Sequence, residues 1–261
     1  TQLLPSAWIE EAMSIRILSA GADDKPDEPQ NEWNTGYGYQ FWRCLDGSFR
    51  ADGAFGQICI VSPEKDVVLA FNSGMNDVGK ALGLVWKHIW PQVSADALPE
   101  NPPALAELRE QQAHLFLQAP EGDATSGAAK RWRERLAKPL SFAVAENAIG
   151  VRRFVLSMAG DVLTLQGETP AGSFTGKGAF GRWETGCDGM FMGIAEAPGD
   201  PGAGTLAEQE DGTLRLQVQQ LCGPASMLLD IALEGGSLKV WGRMNGTFAP
   251  PEIAVMVGQA E

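Results

Sequence analysis

The chain has 261 residues, enough for one large domain or two ordinary ones at roughly 100–200 residues each. Forty-four per cent of the residues are apolar, so a sizeable core can form. Thirty-three acidic residues against twenty basic ones leave a net charge of −13. That excess argues against nucleic acid, whose phosphates need clustered Lys and Arg, and against anionic membrane surfaces.

Residues 3–18, LLPSAWIEEAMSIRIL, predict a helix, with Pro5 in the first turn and Trp8, Ile9, Ala12 and Met13 on one face. Residues 20–35 are acidic and Pro-rich and predict a surface loop; the spacing of Asp23, Asp24, Asp27 and Glu28 matches no calcium loop. Three strand-like runs follow: Gly36 to Trp42 (GYGYQFW), Gln57 to Val61 and Val67 to Phe71. The tight connector Ser62 to Asp66 makes an antiparallel hairpin of the last two. Residues 76–90 predict a helix capped by Asn76 or Asp77, with a stripe of Val78, Leu82, Val85, Trp86 and Ile89.

Four prolines between 91 and 104 mark the best candidate boundary, with a short helix expected from Ala104 to about Leu117 and a Gly- and Ala-rich stretch over 119–130. Beyond Ser141, short apolar runs at 154–158, 162–165, 214–218, 227–233 and 238–242 are separated by turns. This spacing predicts an antiparallel barrel or sandwich. The expected fold class is α+β over 1–95, a linker over 96–140, and an all-β domain over 141–261.

The four cysteines, Cys44, Cys59, Cys187 and Cys222, form no CxxC pair, and the histidines are only His88 and His114. Such scattered ligands predict no metal site, and a chain this long needs no disulfide framework. The cysteines read as buried thiols suited to the cytoplasm, and no cofactor is expected. No apolar run approaches the ~20 residues of a membrane helix. The chain starts at Thr1 without a methionine, which suggests a piece of a longer protein.

The order of a Trp8–Ala12 helix, GYGYQFW, ADGAFGQ, the strands around SPEKDVV and a terminal helix resembles the closing part of the serine β-lactamase and penicillin-binding-protein family. Residues 141–261 look like the β-rich domain appended to some bacterial members, the likeness lying in Glu146–Gly150 and in Gly178–Trp183. The resemblance implies a serine hydrolase acting on an ester, amide or lactam. Its nucleophile motif, Ser-x-x-Lys, and its Tyr-x-Asn element are both missing from this chain. The third motif has a candidate in Ala51-Asp52-Gly53, or alternatively Gly53-Ala54-Phe55. The resemblance makes the backbone N–H of Ala54 an oxyanion donor. It puts Asp52, Gly53, Phe55, Gly56, Gln57 and Tyr39 at the substrate, with Gln57 able to add a side-chain donor. A plain Gly-rich turn explains DGAFG as well, and core packing explains Tyr37, Tyr39, Phe41 and Trp42 better than stacking does.

Two other readings stand beside a nucleophile-less hydrolase fragment. One is a non-catalytic protein whose β-domain holds an apolar ligand or a partner, with Trp183, Met190, Phe191 and Met192 as possible lining. The other is a chain that pairs through an exposed sheet edge, either with a missing N-terminal segment or with a second copy as a homodimer.

Overall fold

The computed structural model describes residues 3–18, 32–94, 96–191, 201–248 and 251–261. The chain divides into two compact units, Thr1–Arg109 and Glu110–Glu261. The acidic residues Asp23, Asp24, Asp27 and Glu28 of the expected loop lie outside the described residues, as does Met192.

The first unit contains α1 (Ser6–Met13), β1 (Trp42–Arg43), β2 (Phe49–Gly53), β3 (Gln57–Ser62), β4 (Val67–Phe71) and α2 (Val78–Leu84). The strands form one antiparallel sheet in the order β1-β2-β3-β4. The expected β3–β4 hairpin is present, with Ser62 opposite Val67 across the Pro63–Asp66 turn. GYGYQFW is a folded bend, not a strand. Tyr37 bridges to both Ile17 and Trp42, and Gln40 has a φ of 65°. Gly38 sits where a Cβ would lie 2.2 Å from the Ala12 carbonyl oxygen, so only glycine lets the bend reach the end of α1.

Asp77 caps α2, accepting from the Lys80 N–H at 3.1 Å. The helix then widens into a π-turn at Val85–Ile89 and tightens into a 3-10 turn at Trp90–Gln92. This rotates the apolar stripe by about one residue. Trp90 therefore joins Ile58, Ile60, Leu82 and Val85 in the core, and Ile89 is left 46% exposed.

Strand β2 escapes a hydropathy reading because its inward residue is Arg50, which is fully buried. Its guanidinium donates from Nε to Asp52 at 2.9 Å and from Nη2 to the Glu32 carbonyl oxygen at 2.9 Å. Trp33 and Trp42 lie 4.9 and 6.0 Å from it by ring centroid. Glu32 Oε2 is 3.5 Å from Nη1 without a hydrogen bond of its own. Burial raises the Glu32 carboxyl above its usual range, and Arg50 draws it partly back.

Helix α3 (Pro102–Ala113) buries no side chain. In the second unit α4 (Gly127–Arg135) precedes ten strands: β5 (Leu140–Val144), β6 (Arg153–Ala159), β7 (Val162–Thr169), β8 (Gly172–Phe180), β9 (Glu184–Cys187), β10 (Gly202–Glu208), β11 (Leu214–Gln220), β12 (Ser226–Glu234), β13 (Ser237–Asn245) and β14 (Glu252–Ala260). The five apolar runs expected as strands all fall within this set. Nine strands close into a barrel in the cyclic order β5-β6-β7-β8-β10-β11-β12-β13-β14, the ring sealed by β10 pairing with β11. All pairs are antiparallel except β8–β10, which is parallel and short, at Ala179–Thr205 and Phe180–Leu206. Strand β9 lies against the first half of β10, and Asp188 just after it bridges to Thr175 on β8. It fills the gap where those two strands diverge.

The expectation of a β-lactamase-like domain carrying an appended β-domain is corrected by this architecture: the larger unit is a closed barrel with its own core, and the smaller one is a separate four-stranded sheet with helices.

We expect Arg50→Met to cost about 1–3 kcal/mol, because it leaves the part-buried Asp52 and Glu32 carboxylates without their cation. Equilibrium denaturation should show the loss in the first unit. A cost under about 1 kcal/mol would mean that the pair carries no net weight there.

Candidate functional site

The barrel interior is built from alternation. On β6 the inward side chains are Phe154, Leu156 and Met158; on β7 they are Leu163, Leu165 and Gly167. Strand β8 places Gly176 and Gly178 inward, opposite Leu165 and Leu163. A Cβ at either would meet Leu216, at 3.0 and 2.6 Å, so Leu216 occupies the volume that these glycines leave. Leu156, Leu163, Leu165, Leu214, Leu216 and Ile231 have no solvent exposure. One half of the barrel is thus solid.

Helix α4 closes that half. Ser126 caps it by accepting from the Ala129 N–H at 3.0 Å. Ala129, Trp132 and Leu136 join the barrel core. The Leu136 carbonyl accepts from the Met158 N–H at 3.0 Å, and Arg135 Nη2 donates to the Leu233 carbonyl at 2.8 Å. The Trp183 indole N–H donates to the Leu117 carbonyl at 2.7 Å, which ties the preceding segment to the barrel wall.

The other half holds a cavity of about 220 Å3. Its walls are Phe154, Met227, Leu229, Val240, Ile253 and Met256. Phe174 and Met190 complete one side, and Gly189 lies beside them. The mouth is framed by Ile149, Val151, Thr169 and Ala171. Phe174 leans over Gly167, where a Cβ would sit 2.0 Å from its ring, and its ring is edge-on to Phe154 at 6.2 Å. Ile149 and Val151 are held by the β5–β6 loop, which is organised by one side chain. Asn147 donates to the carbonyls of Ala145 and Val151, at 2.9 and 2.7 Å, and accepts from the Val151 N–H at 3.1 Å.

Thr169 supplies the one polar side chain in the lining among the described residues. Its hydroxyl already donates to the Gly172 carbonyl at 3.0 Å and accepts from the Ala171 N–H at 3.2 Å. The arrangement offers contact and shape, with no carboxylate, imidazole, amine or thiol in the lining among the described residues. Met190, named in the sequence as possible lining, is in the wall. Phe191 is buried in the same core, whereas Trp183 is on the outside.

The residues expected at a hydrolase-type wall fall in the first unit. Asp52, Gly53 and Gln57 come together along a shallow groove with Cys59, Phe71 and Asn72. Asp52 is committed to Arg50. Ala54, Phe55 and Gly56 form the β2–β3 turn, closed by the Gly56 N–H on the Gly53 carbonyl at 3.1 Å. Phe55 and Gly56 have φ of 67° and 91°, and a Cβ on Gly56 would overlap Ser73 Oγ. That hydroxyl lies 2.9 Å from the Phe55 carbonyl and 3.0 Å from the Gly56 carbonyl. Gln57 Nε2 donates to the Ser73 carbonyl at 3.3 Å. Tyr39 is not among the groove's residues; its hydroxyl donates to Glu11 at 2.9 Å and its ring lies 5.4 Å from the Arg16 guanidinium carbon. No cluster of three or more metal-type ligands occurs among the described residues.

No protein-family model and no curated protein matches this chain. Among solved structures, a Schistosoma mansoni fatty acid binding protein in complex with arachidonic acid is similar at a TM-score of 0.33 and 9% identity, over 50% of this chain and 98% of that one. A likeness of that strength carries no argument about function. The resemblance to β-lactamases and penicillin-binding proteins, with the hydrolase activity it implied, is corrected: the larger unit, read as a domain appended to such an enzyme, is a closed barrel with a core of its own. No helix among the described residues is long and apolar enough to cross a membrane.

The cysteines are all free. Burial raises the Cys44 and Cys187 thiols above their ordinary range, the Arg50 and Lys177 neighbourhoods opposing it only in part. Both therefore stay protonated and unreactive at neutral pH. We expect iodoacetamide at pH 8 to modify exposed Cys222 first and to leave Cys44 and Cys187 untouched while the chain is folded. Peptide mass spectrometry checks this, and early labelling of Cys187 would contradict its placement in the barrel.

Proposed function

We propose that the barrel unit is a non-catalytic binding module for a small apolar ligand, held in the cavity between Phe154, Phe174 and the three methionines Met190, Met227 and Met256. The observation that carries this reading is an almost wholly apolar cavity in a barrel whose other half is packed solid with side chains. A core of this kind fills such space with side chains unless the space has a use, since each unfilled volume forfeits dispersion contacts. Methionine walls suit the role because an unbranched thioether adapts to a guest's shape.

A ligand that binds only the folded barrel raises its stability by mass action, by about 2.7 kcal/mol at a hundred times its dissociation constant. We expect small apolar compounds to raise the melting temperature in a concentration-dependent way. Met227→Trp, which fills the cavity, should abolish the rise. Leu229→Ala should cost about 2–5 kcal/mol in the free protein and let bulkier compounds in. No rise with any apolar compound would defeat the proposal.

A second reading concerns the first unit. Strand β4 ends its sheet among the described residues, and Val68 in it is 66% exposed. An open edge of this kind supports pairing with a second copy of the chain. Sedimentation over a wide concentration range decides this: a chain that is monomeric throughout rules the pairing out.

A further inference from the structure

We infer that the barrel cavity selects an uncharged ligand about the size of one ring, and discriminates against carboxylates and long acyl chains. This deepens the binding reading above and rests on it.

The first ground is charge. No Lys, Arg or His side chain lines the cavity among the described residues, and the one hydroxyl, on Thr169, already has both a donor and an acceptor partner. The buried polar side chains of the barrel are Thr205, Thr213 and Gln220. Each is committed elsewhere: Thr205 to the Ala179 carbonyl, Thr213 to Asp211, and Gln220 to the Ala225 N–H. An anion entering this space gives up its hydration and gains no partner, a cost that a neutral guest does not meet. The chain's net charge of −13 adds to the same bias at long range.

The second ground is size. An apolar cavity of about 150 Å3 stays dry and takes a benzene ring. The cavity here is about 220 Å3, which leaves room for roughly two further heavy atoms at ~30 Å3 each. Pockets that enclose larger ligands run to about 300–1,000 Å3. Solid packing by Leu165, Leu214 and Leu216 below the cavity prevents a chain from extending toward α4.

The third ground is the wall chemistry. Phe154 and Phe174 already pack edge to face, and Met190, Met227 and Met256 bring three thioethers to the same space. Aromatic rings and thioether sulfurs both favour an aromatic guest beyond the area it buries.

The test is calorimetric titration of the whole chain with toluene, ethylbenzene, benzoate and octanoate at pH 7, followed by NMR of methionine methyl groups labelled with carbon-13. We expect toluene or ethylbenzene to bind, and to move the Met190, Met227 and Met256 signals while Met13 and Met75 stay still. Benzoate and octanoate should bind at least about a hundredfold more weakly. If benzoate or octanoate binds within tenfold of toluene, the selectivity inference is overturned and the apolar-binding reading survives. Binding that leaves the three cavity methyls unmoved overturns the site. Failure of all four compounds to bind overturns both. The methyl readout needs no mutant, so it decides the matter even if a cavity-filling variant fails to fold.

Discussion

The second unit depends on how the chain closes its ring between β8 and β10. Eight of the nine closing pairs are antiparallel, and a cyclic sheet with an odd number of strands must contain one parallel pair. That pair is held at two registers only, at the end of the barrel that α4 seals. Toward the other end the two strands diverge, and β9 with Asp188 is laid between them to satisfy their open edges. The Cys187 thiol bonds to the Lys177 backbone at 3.2 Å on both sides and fixes that insert to β8. The asymmetry of the barrel follows. Where β8 and β10 meet directly, the interior is narrow and filled by leucines. Where β9 spreads them, the wall is wider and the cavity sits behind it, with Gly189 and Met190 supplied by the chain just after β9.

Glycine placement makes the narrow half possible. Gly176 and Gly178 present no side chain to the interior, so Leu216 can fill the space from the opposite wall. Gly167 does the same for Phe174 at the mouth. In a sequence these glycines read as strand-weakening positions, and that is why β8 was not visible as a strand. Their role becomes plain only when the residues across the barrel are known. The same holds for β2, where the inward position is an arginine. Arg50 is tolerated there because two carboxylates and two indole rings surround it, and these partners come from segments that hydropathy reads as loop and strand.

The legible parts of the fold were those in which burial alone decides the pattern. Strands β6, β7 and β11 alternate cleanly, β12 and β13 do so over their first halves, and the β3–β4 turn and the Asp77 cap are local. Helix α4 was missed because a single Trp132 and two alanines make its buried face, within a stretch otherwise rich in Arg, Lys and Gly. Its one readable signal was Ser126 ahead of the run. The candidate site was legible only in Met190. Its other lining residues come from six strands and the loops between them and look individually like ordinary core or turn, so nothing short of the closed ring brings them to one volume.

The cavity and the solid half constrain each other. A barrel unit with no charge inside and one end plugged by Trp132 and Leu136 has enough buried apolar area to leave a volume of about 220 Å3 unfilled and still hold its shape. The mouth loop is braced by one side chain, since Asn147 satisfies three backbone groups that would otherwise need water. A hydrogen-bonded mouth, methionine walls and a solid floor set a limit on depth while leaving latitude in shape. On the proposed binding reading, such a site would distinguish charge and depth, because a charge has no counterpart in the wall and length added toward the floor meets packed leucines.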